Sequence, residues 1–133
     1  MSDTNPRVVP VAVNVSIETS GVKITCSPEP VPVAKGLDDV LITFTLGGAA
    51  GFSFPVDDAI VADKNSKSDF PYKSWTISNT LAALYDRNNK AAKVKYTVNV
   101  VDAQGTPYSL DPEIQNGGSA GTTCGDDDGD DDC

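Results

Sequence analysis

Hydrophobic and polar residues alternate with a period of two along most of the chain. The apolar positions Val11, Val13, Val15 and Ile17 are separated by small or polar residues, and the alternation resumes at Val22 after a Ser-Gly turn. Successive side chains of a β-strand point to opposite faces of the sheet. The pattern therefore predicts a β-hairpin with one buried face.

The same alternation predicts strands over residues 40–46, 94–100 and 108–110, and shorter ones over 52–54, 59–62 and 75–77. The turn at residues 102–105 joins two of them into a second hairpin. The proline-rich segment 28–32 predicts an extended sheet edge, since proline cannot donate to a ladder. We expect the largest aromatic residues to fill the space between two sheets, namely Phe44, Phe54, Trp75 and Tyr96.

One segment shows helical spacing instead. Asn79 occupies a capping position, Leu81, Leu84 and Tyr85 recur at three- and four-residue intervals, and Asn88 follows as a stop signal. This pattern predicts one short helix.

Together, seven or so short strands predict an all-β fold. We expect a single antiparallel, immunoglobulin-like β-sandwich with at most one short helix. The predicted organisation is an N-terminal extension at residues 1–6, the sandwich at 7–114, and a flexible linker with an acidic tail at 115–133.

Charge is distributed unevenly along the 133 residues. The chain carries a net charge of −9, but residues 124–133 contain six aspartates and no basic residue, so residues 1–123 hold 13 acidic and 10 basic residues. Nucleic acids and anionic membranes require clustered lysine and arginine. We therefore expect neither as a partner.

The chain contains no histidine. This excludes Ser-His-Asp and Cys-His nucleophile systems and imidazole metal ligands. The adjacent carboxylates Asp38 and Asp39, and likewise Asp57 and Asp58, do not suit an acid–base pair, because such a pair must face one cleft across the fold. The same argument applies to Asp111 and Glu113. We therefore predict that the protein is not an enzyme and has no catalytic residues.

The acidic tail is the candidate metal site. Asp126, Asp128, Asp130 and Asp132 alternate as in the first half of an EF-hand loop and supply the oxygen ligands that Ca²⁺ prefers. Gly129, however, falls at the fourth position of that loop instead of the sixth. A solvated acidic tail, weak Ca²⁺ binding and docking to a partner therefore all stay open.

Two of the three cysteines flank this tail. Cys124 and Cys133 could close a disulfide around the aspartates, or Cys133 could form an intermolecular link. Cys26 continues the alternation of Val22 and Ile24, which predicts a buried small hydrophobic residue.

The segment Lys95-Tyr-Thr-Val-Asn-Val-Val-Asp-Ala-Gln-Gly105, followed by Leu110-Asp-Pro-Glu-Ile-Gln-Asn116, resembles the C-terminal strands of small bacterial proteins of the DP-EP family. The resemblance covers about residues 92–116. It implies a small β-sandwich and carries no activity, cofactor or site residues with it.

These observations favour a non-catalytic structural or protein-interaction module that pairs with a protein partner or with itself. The alternative is a calcium- or small-ligand-binding protein that uses carboxylates of the tail or loops. We expect no cofactor apart from weakly bound Ca²⁺. No signal peptide or apolar run of membrane-spanning length is present, so the expected location is cytoplasmic.

Overall fold

The structure is a computed structural model that describes residues 8–37 and 39–118. Its ten strands are β1 (Val8–Glu18), β2 (Gly21–Ser27), β3 (Val31–Val33), β4 (Val40–Gly48), β5 (Ile60–Ala62), β6 (Trp75–Ser78), β7 (Leu81–Asp86), β8 (Ala91–Val101), β9 (Pro107–Leu110) and β10 (Glu113–Gly117). Within the described part of the chain, the only helical element is a 3₁₀ turn at Lys64–Ser66.

The strands form two five-stranded sheets. The first sheet has the order β2-β1-β4-β7-β6, and the second has the order β3-β10-β8-β5, with β9 also paired to β8. Each sheet is mixed, because β1 pairs with β4 in parallel and β3 pairs with β10 in parallel. The predicted all-β sandwich is confirmed, and the sheets are mixed where wholly antiparallel ones were expected. The reason is that β2 and β3 intervene between β1 and β4, which gives the chain the long crossover that a parallel pair needs.

The core lies between the sheets and is built from the alternating positions of both. From the first sheet, Val13, Ile42 and Phe44 are buried, and from the second sheet Tyr96 and Val98 are buried. The rings of Phe44 and Tyr96 meet across the interface with their centroids 5.6 Å apart. Burial of such side chains stabilises the fold by about 1.5–3 kcal/mol each.

Both predicted hairpins are confirmed. In the first, β1 and β2 pair antiparallel, and in the second, β8 and β9 pair antiparallel. The proline-rich segment leads into β3, which lies at the edge of the second sheet as expected.

The predicted helix is wrong. Residues 81–86 form strand β7, which lies between β4 and β6 in the first sheet. Ala82 and Leu84 point to the core, whereas Tyr85 lies on the outer face and is half-buried. An inner strand with apolar side chains on both faces loses clear alternation, so its sequence can imitate helical spacing.

The placement of Trp75 in the core is also wrong, whereas Phe44, Phe54 and Tyr96 are buried as predicted. Trp75 lies on the edge strand β6 opposite Ala83, and its side chain remains 48% exposed on the outer face of the first sheet. The register of β6 against β7 decides this orientation, and a shift by one residue would reverse it.

A glycine at the end of β4 is essential for the parallel pairing with β1. Gly48 has φ +97°, and a Cβ there would overlap the carbonyl oxygen of Val15 and lie 2.7 Å from its backbone nitrogen. The neighbouring Gly47 has open space around its Cβ position. Gly48 therefore permits a backbone approach that no other residue allows.

We predict that Gly48→Ala lowers the free energy of unfolding by about 2–4 kcal/mol, because it adds both backbone strain and overlap with Val15. Gly47→Ala is the matched control and should change it by less than about 0.5 kcal/mol. Urea denaturation followed by circular dichroism measures both. Equal effects of the two substitutions would contradict the prediction.

Candidate functional site

The outer face of the first sheet carries a cluster of aromatic and aliphatic side chains, which we call the aromatic face. Its members are Val8, Leu41, Tyr72, Trp75 and Tyr85, and Ile77 borders it on β6, two residues after Trp75, where the register against β7 shifts. The ring of Tyr72, from the loop before β6, lies 6.5 Å from that of Trp75 and 5.6 Å from that of Tyr85. Tyr72, Trp75 and Ile77 are 58%, 48% and 59% exposed.

Strand register extends this face across the sheet. Tyr85 on β7 is directly opposite Leu41 on β4, and Leu41 is opposite Val8 on β1. Directly opposed side chains lie close enough to contact one another. The aromatic face is therefore one continuous surface and not a set of isolated apolar residues.

Polar groups border the aromatic face at one end. The Tyr85 hydroxyl donates a hydrogen bond to the Asp39 carboxylate, and this bond raises the pKa of Tyr85 above its usual range. The Asp39 backbone N–H donates to the Arg87 carbonyl at 3.3 Å, which keeps an acidic and a basic residue adjacent. Both are exposed. An apolar centre with a polar rim is typical of protein interaction surfaces.

The aromatic face reaches the edge of the sheet at β6. Of the five edge strands in the two described sheets, β2 carries Lys23, β3 carries Pro32, β9 begins at Pro107, and the backbone N–H of Ile60 on β5 donates to the Ser74 hydroxyl. Strand β6, Trp-Thr-Ile-Ser, has neither a charge nor a proline, and beyond its pairing with β7 its backbone makes no hydrogen bond to the backbone of a described residue. Its Thr76 hydroxyl donates to the Pro55 carbonyl at 2.7 Å. Charges and prolines are the usual devices that prevent edge-to-edge pairing.

A cavity of about 300 Å³ lies beside the aromatic face, under the loop that precedes β6. Its apolar lining includes Ile60, Phe70 and Leu84, and charged residues of the loop stand at its rim, among them Asp63 and Lys73. This volume is at the lower end of the range for small-molecule pockets.

Buried polar residues form a separate cluster at one end of the sandwich. Asp69, Asp86, Asn88 and Asn116 are all buried. Asn88 is the most connected: its side-chain amide donates to the carbonyls of Ala34 (2.9 Å) and Leu37 (2.7 Å), and its side-chain oxygen accepts from Gly118 N–H (3.0 Å). Sequence reasoning missed this cluster, since it took Asn88 only as a helix stop. The one feature of the sequence that indicates this cluster is the presence of polar residues, such as Asp86 and Asn116, in otherwise apolar strands.

Three of the carboxylates considered for acid–base pairs have separate partners, which are not other members of those pairs. Asp58 lies 4.0 Å from the Lys73 amine, and Asp111 accepts a hydrogen bond from the Thr97 hydroxyl at 2.8 Å. Asp39 binds Tyr85, and Asp38 lies outside the described residues. Among residues 8–37 and 39–118, no group of three or more Asp, Glu or Cys side chains could hold a metal ion.

The candidate tail residues lie outside the described residues. These are the aspartates Asp126, Asp128, Asp130 and Asp132 and the cysteines Cys124 and Cys133. The Ca²⁺ site and the disulfide therefore stay predictions.

Cys26 lies on β2 and is half-buried against the core. Burial raises the pKa of its thiol to about 11, so the thiol is protonated and a poor nucleophile at neutral pH. The thiol is near enough to the Tyr96 hydroxyl to influence its pKa, but this hydroxyl makes no hydrogen bond to any described residue.

No protein-family model matches the chain, and no curated protein matches it. No helix in the described ranges is long and apolar enough to span a membrane.

We predict that Asn88→Ala lowers the free energy of unfolding by about 3 kcal/mol or more, because buried carbonyl and N–H groups would lose their partners. Asn99→Ala is the control. The Asn99 amide also donates to a backbone carbonyl, that of Asp58 (2.8 Å), but at an exposed position. It should cost about 0.5–1.5 kcal/mol. Equal losses for the two variants in urea denaturation would show that burial does not matter here.

Proposed function

We propose that this protein is a non-catalytic interaction module that associates with a second copy of itself through the aromatic face. The observation that carries the proposal is the exposure of Tyr72, Trp75 and Ile77 beside one another on the outside of the first sheet. Solvent exposure of two large aromatic rings and an isoleucine on one surface is unfavourable unless a partner covers them.

The rim of the aromatic face suits a second copy. In a two-fold arrangement the same surface contacts itself, so Asp39 of one copy can lie against Arg87 of the other, and the reverse. The acidic and basic residues then set the orientation of the pair, while the aromatic side chains supply most of the binding energy.

The immunoglobulin-like topology and the bacterial DP-EP relationship belong to the same proposal. The support for them is the hairpin of β8 and β9 and the adjoining β10, which fall in the segment that carries the resemblance. A self-associating β-sandwich is compatible with that family, which implies no activity of its own.

The small cavity supports a second candidate, a small-ligand-binding protein. Asp58 and Asp63 at its rim are loop carboxylates of the kind that the alternative interpretation requires. We rank this below association because the cavity is small and Lys73 already neutralises Asp58 in part.

We predict that the full chain dimerises at high concentration and that Ile77→Lys weakens dimerisation at least about tenfold, because it places a charge in the apolar interface. The control is Ile17→Lys, since Ile17 is equally apolar, is 68% exposed and lies outside the aromatic face. Light scattering coupled to size exclusion measures the association. A strictly monomeric chain, or equal effects of the two variants, would refute the proposal.

Trp75 provides an independent readout because it is the only tryptophan in the chain. Its fluorescence should shift to shorter wavelength as the protein concentration rises, and acrylamide should quench it less. Neither change should occur in Ile77→Lys over the same concentrations. A spectrum that is independent of concentration in a chain that does dimerise would place the interface elsewhere.

A further inference from the structure

Two buried side chains from different sheets meet at the end of the sandwich. Asp86 is the last residue of β7 in the first sheet, and Asn116 lies in β10 of the second sheet. Both are fully buried. The Asn116 side-chain nitrogen donates to Oδ1 of Asp86 at 3.1 Å, so this hydrogen bond links the two sheets directly.

The hydrogen bonds fix the orientation of the Asn116 amide. Its nitrogen also donates to Oδ2 of Asp69 at 3.2 Å, so both N–H bonds are directed at carboxylates. If the amide were reversed, its oxygen would face two carboxylates, which is unfavourable. The side-chain oxygen of Asn116 is therefore the atom left over.

Two buried oxygen atoms of this pair lack a partner among the described residues. They are Oδ2 of Asp86 and Oδ1 of Asn116. Oδ1 of Asp86 is already satisfied, since it accepts from the Asn88 backbone N–H at 2.8 Å as well as from Asn116. Two acceptors without a donor are costly in a buried site, and a single proton on one of them removes both deficits.

Asp69 differs from Asp86 although the two are close. Both of its oxygens accept hydrogen bonds, from the backbone N–H groups of Asn89 (3.1 Å) and Lys90 (3.3 Å) and from Asn116. Three N–H donors suit an ionised carboxylate. In this cluster both oxygens of Asp69 accept hydrogen bonds, whereas only one oxygen of Asp86 does.

Among residues 8–37 and 39–118, none provides a buried positive charge beside Asp86 that could compensate its ionisation. The residue opposite Asp86 on β4 is the buried, apolar Val40, β10 contributes the uncharged Asn116, and the charged group that faces it from the loop before β6 is Asp69. The described basic residues of the adjoining segments, Lys35 after β3 and Arg87 and Lys90 after β7, are all exposed. Burial, and then the charge of Asp69, raise the pKa of Asp86 from 3.8 to about 7.

We propose that the folded protein binds one proton on Oδ2 of Asp86, which donates it to Oδ1 of Asn116, and that this acid–amide pair locks the two sheets together. The pair then makes two parallel hydrogen bonds, N–H to Oδ1 and O–H to the amide oxygen. The proton comes from solvent and returns to it when Asp86 ionises. The lock joins β7, which carries Tyr85 of the aromatic face, to β10, which precedes residues 119–133.

The pH dependence follows from the direction of the shift. In the unfolded chain Asp86 ionises near its ordinary value of 3.8, whereas in the folded protein it ionises near 7. Between these values the folded state holds one more proton than the unfolded state, so the stability that this group contributes falls as the pH rises. The contribution is complete below about pH 4 and lost above about pH 7, with an unfolding constant that changes by at most about tenfold per pH unit.

The direct test is NMR of the wild-type protein with ¹³C-labelled aspartate. The Asp86 carboxyl carbon, assigned by its disappearance in Asp86→Asn, should titrate with a midpoint near 7. A midpoint near 4, or a carboxylate that stays ionised throughout, would overturn the proposal. This measurement does not depend on whether any variant folds.

Substitution gives a second test. Asp86→Asn places an amide where the neutral acid lies, so it accepts from Asn88 and donates to Asn116 as the proposed acid does. Its unfolding constant should already be about tenfold smaller than that of the wild type at pH 5, because Asp86 of the unfolded wild type is ionised there, and at least about a hundredfold smaller at pH 8. A variant less stable than the wild type at pH 8 would overturn the proposal.

Asp69→Asn is the matched control in the same cluster. Its new NH₂ group would face the N–H donors that now bind the carboxylate, so it should destabilise the protein at both pH values. Calcium chloride and sodium chloride provide a further comparison at pH 8. If either salt stabilised the wild type and not Asp86→Asn, the pair would bind a cation and not a proton, and the proposal would be wrong.

Discussion

Packing of the inward side chains of β4 against those of β8 is the interaction on which the rest of the molecule depends. Phe44 and Tyr96 meet at the centre of this interface, and valine and isoleucine side chains fill the space around them. This packing buries one face of every long strand and leaves the other face exposed to water or to partners. The position of each outward residue follows from it, because alternation along a strand leaves no freedom once the inner face is fixed.

One end of the sandwich is closed by polar contacts instead of apolar packing. At the end where β7 finishes, the apolar core gives way to hydrogen-bonded polar side chains that connect both sheets, the loop before β6 and the segment after β3. Directional bonds of this kind specify a single arrangement more strictly than apolar contacts do, provided that every group has a partner. Asp86 and Asn116 meet that condition only with a proton between them, and this makes the closure of the sandwich sensitive to pH.

The aromatic face and the polar cluster are linked through β7. Tyr85 points outward to the aromatic face and Asp86, the next residue, points inward to Asn116. Neighbouring residues of one strand thus serve an external surface and an internal lock. Association and protonation rest on different side chains, however, so either can be present without the other.

Local alternation was sufficient to predict the inward faces of β1, β4 and β8, because a strand that is buried on one face alternates apolar and polar residues. It failed at β7, where burial on both faces removes the period, and at Trp75, where hydrophobicity indicates burial but the register of an edge strand turns the ring outward. The parallel pairing of β1 with β4 was not predicted either, since strand neighbours depend on how distant segments meet.

By itself, then, the sequence determined the class of fold, the main core residues and the absence of histidine chemistry, all of which are local or compositional properties. Only the tertiary structure brought Asp69, Asp86, Asn88 and Asn116 together and made Tyr72, Trp75 and Tyr85 one surface. These residues are far apart or unremarkable along the chain. Their proximity arises from sheet order and register, which the packing of the two sheets fixes as a whole.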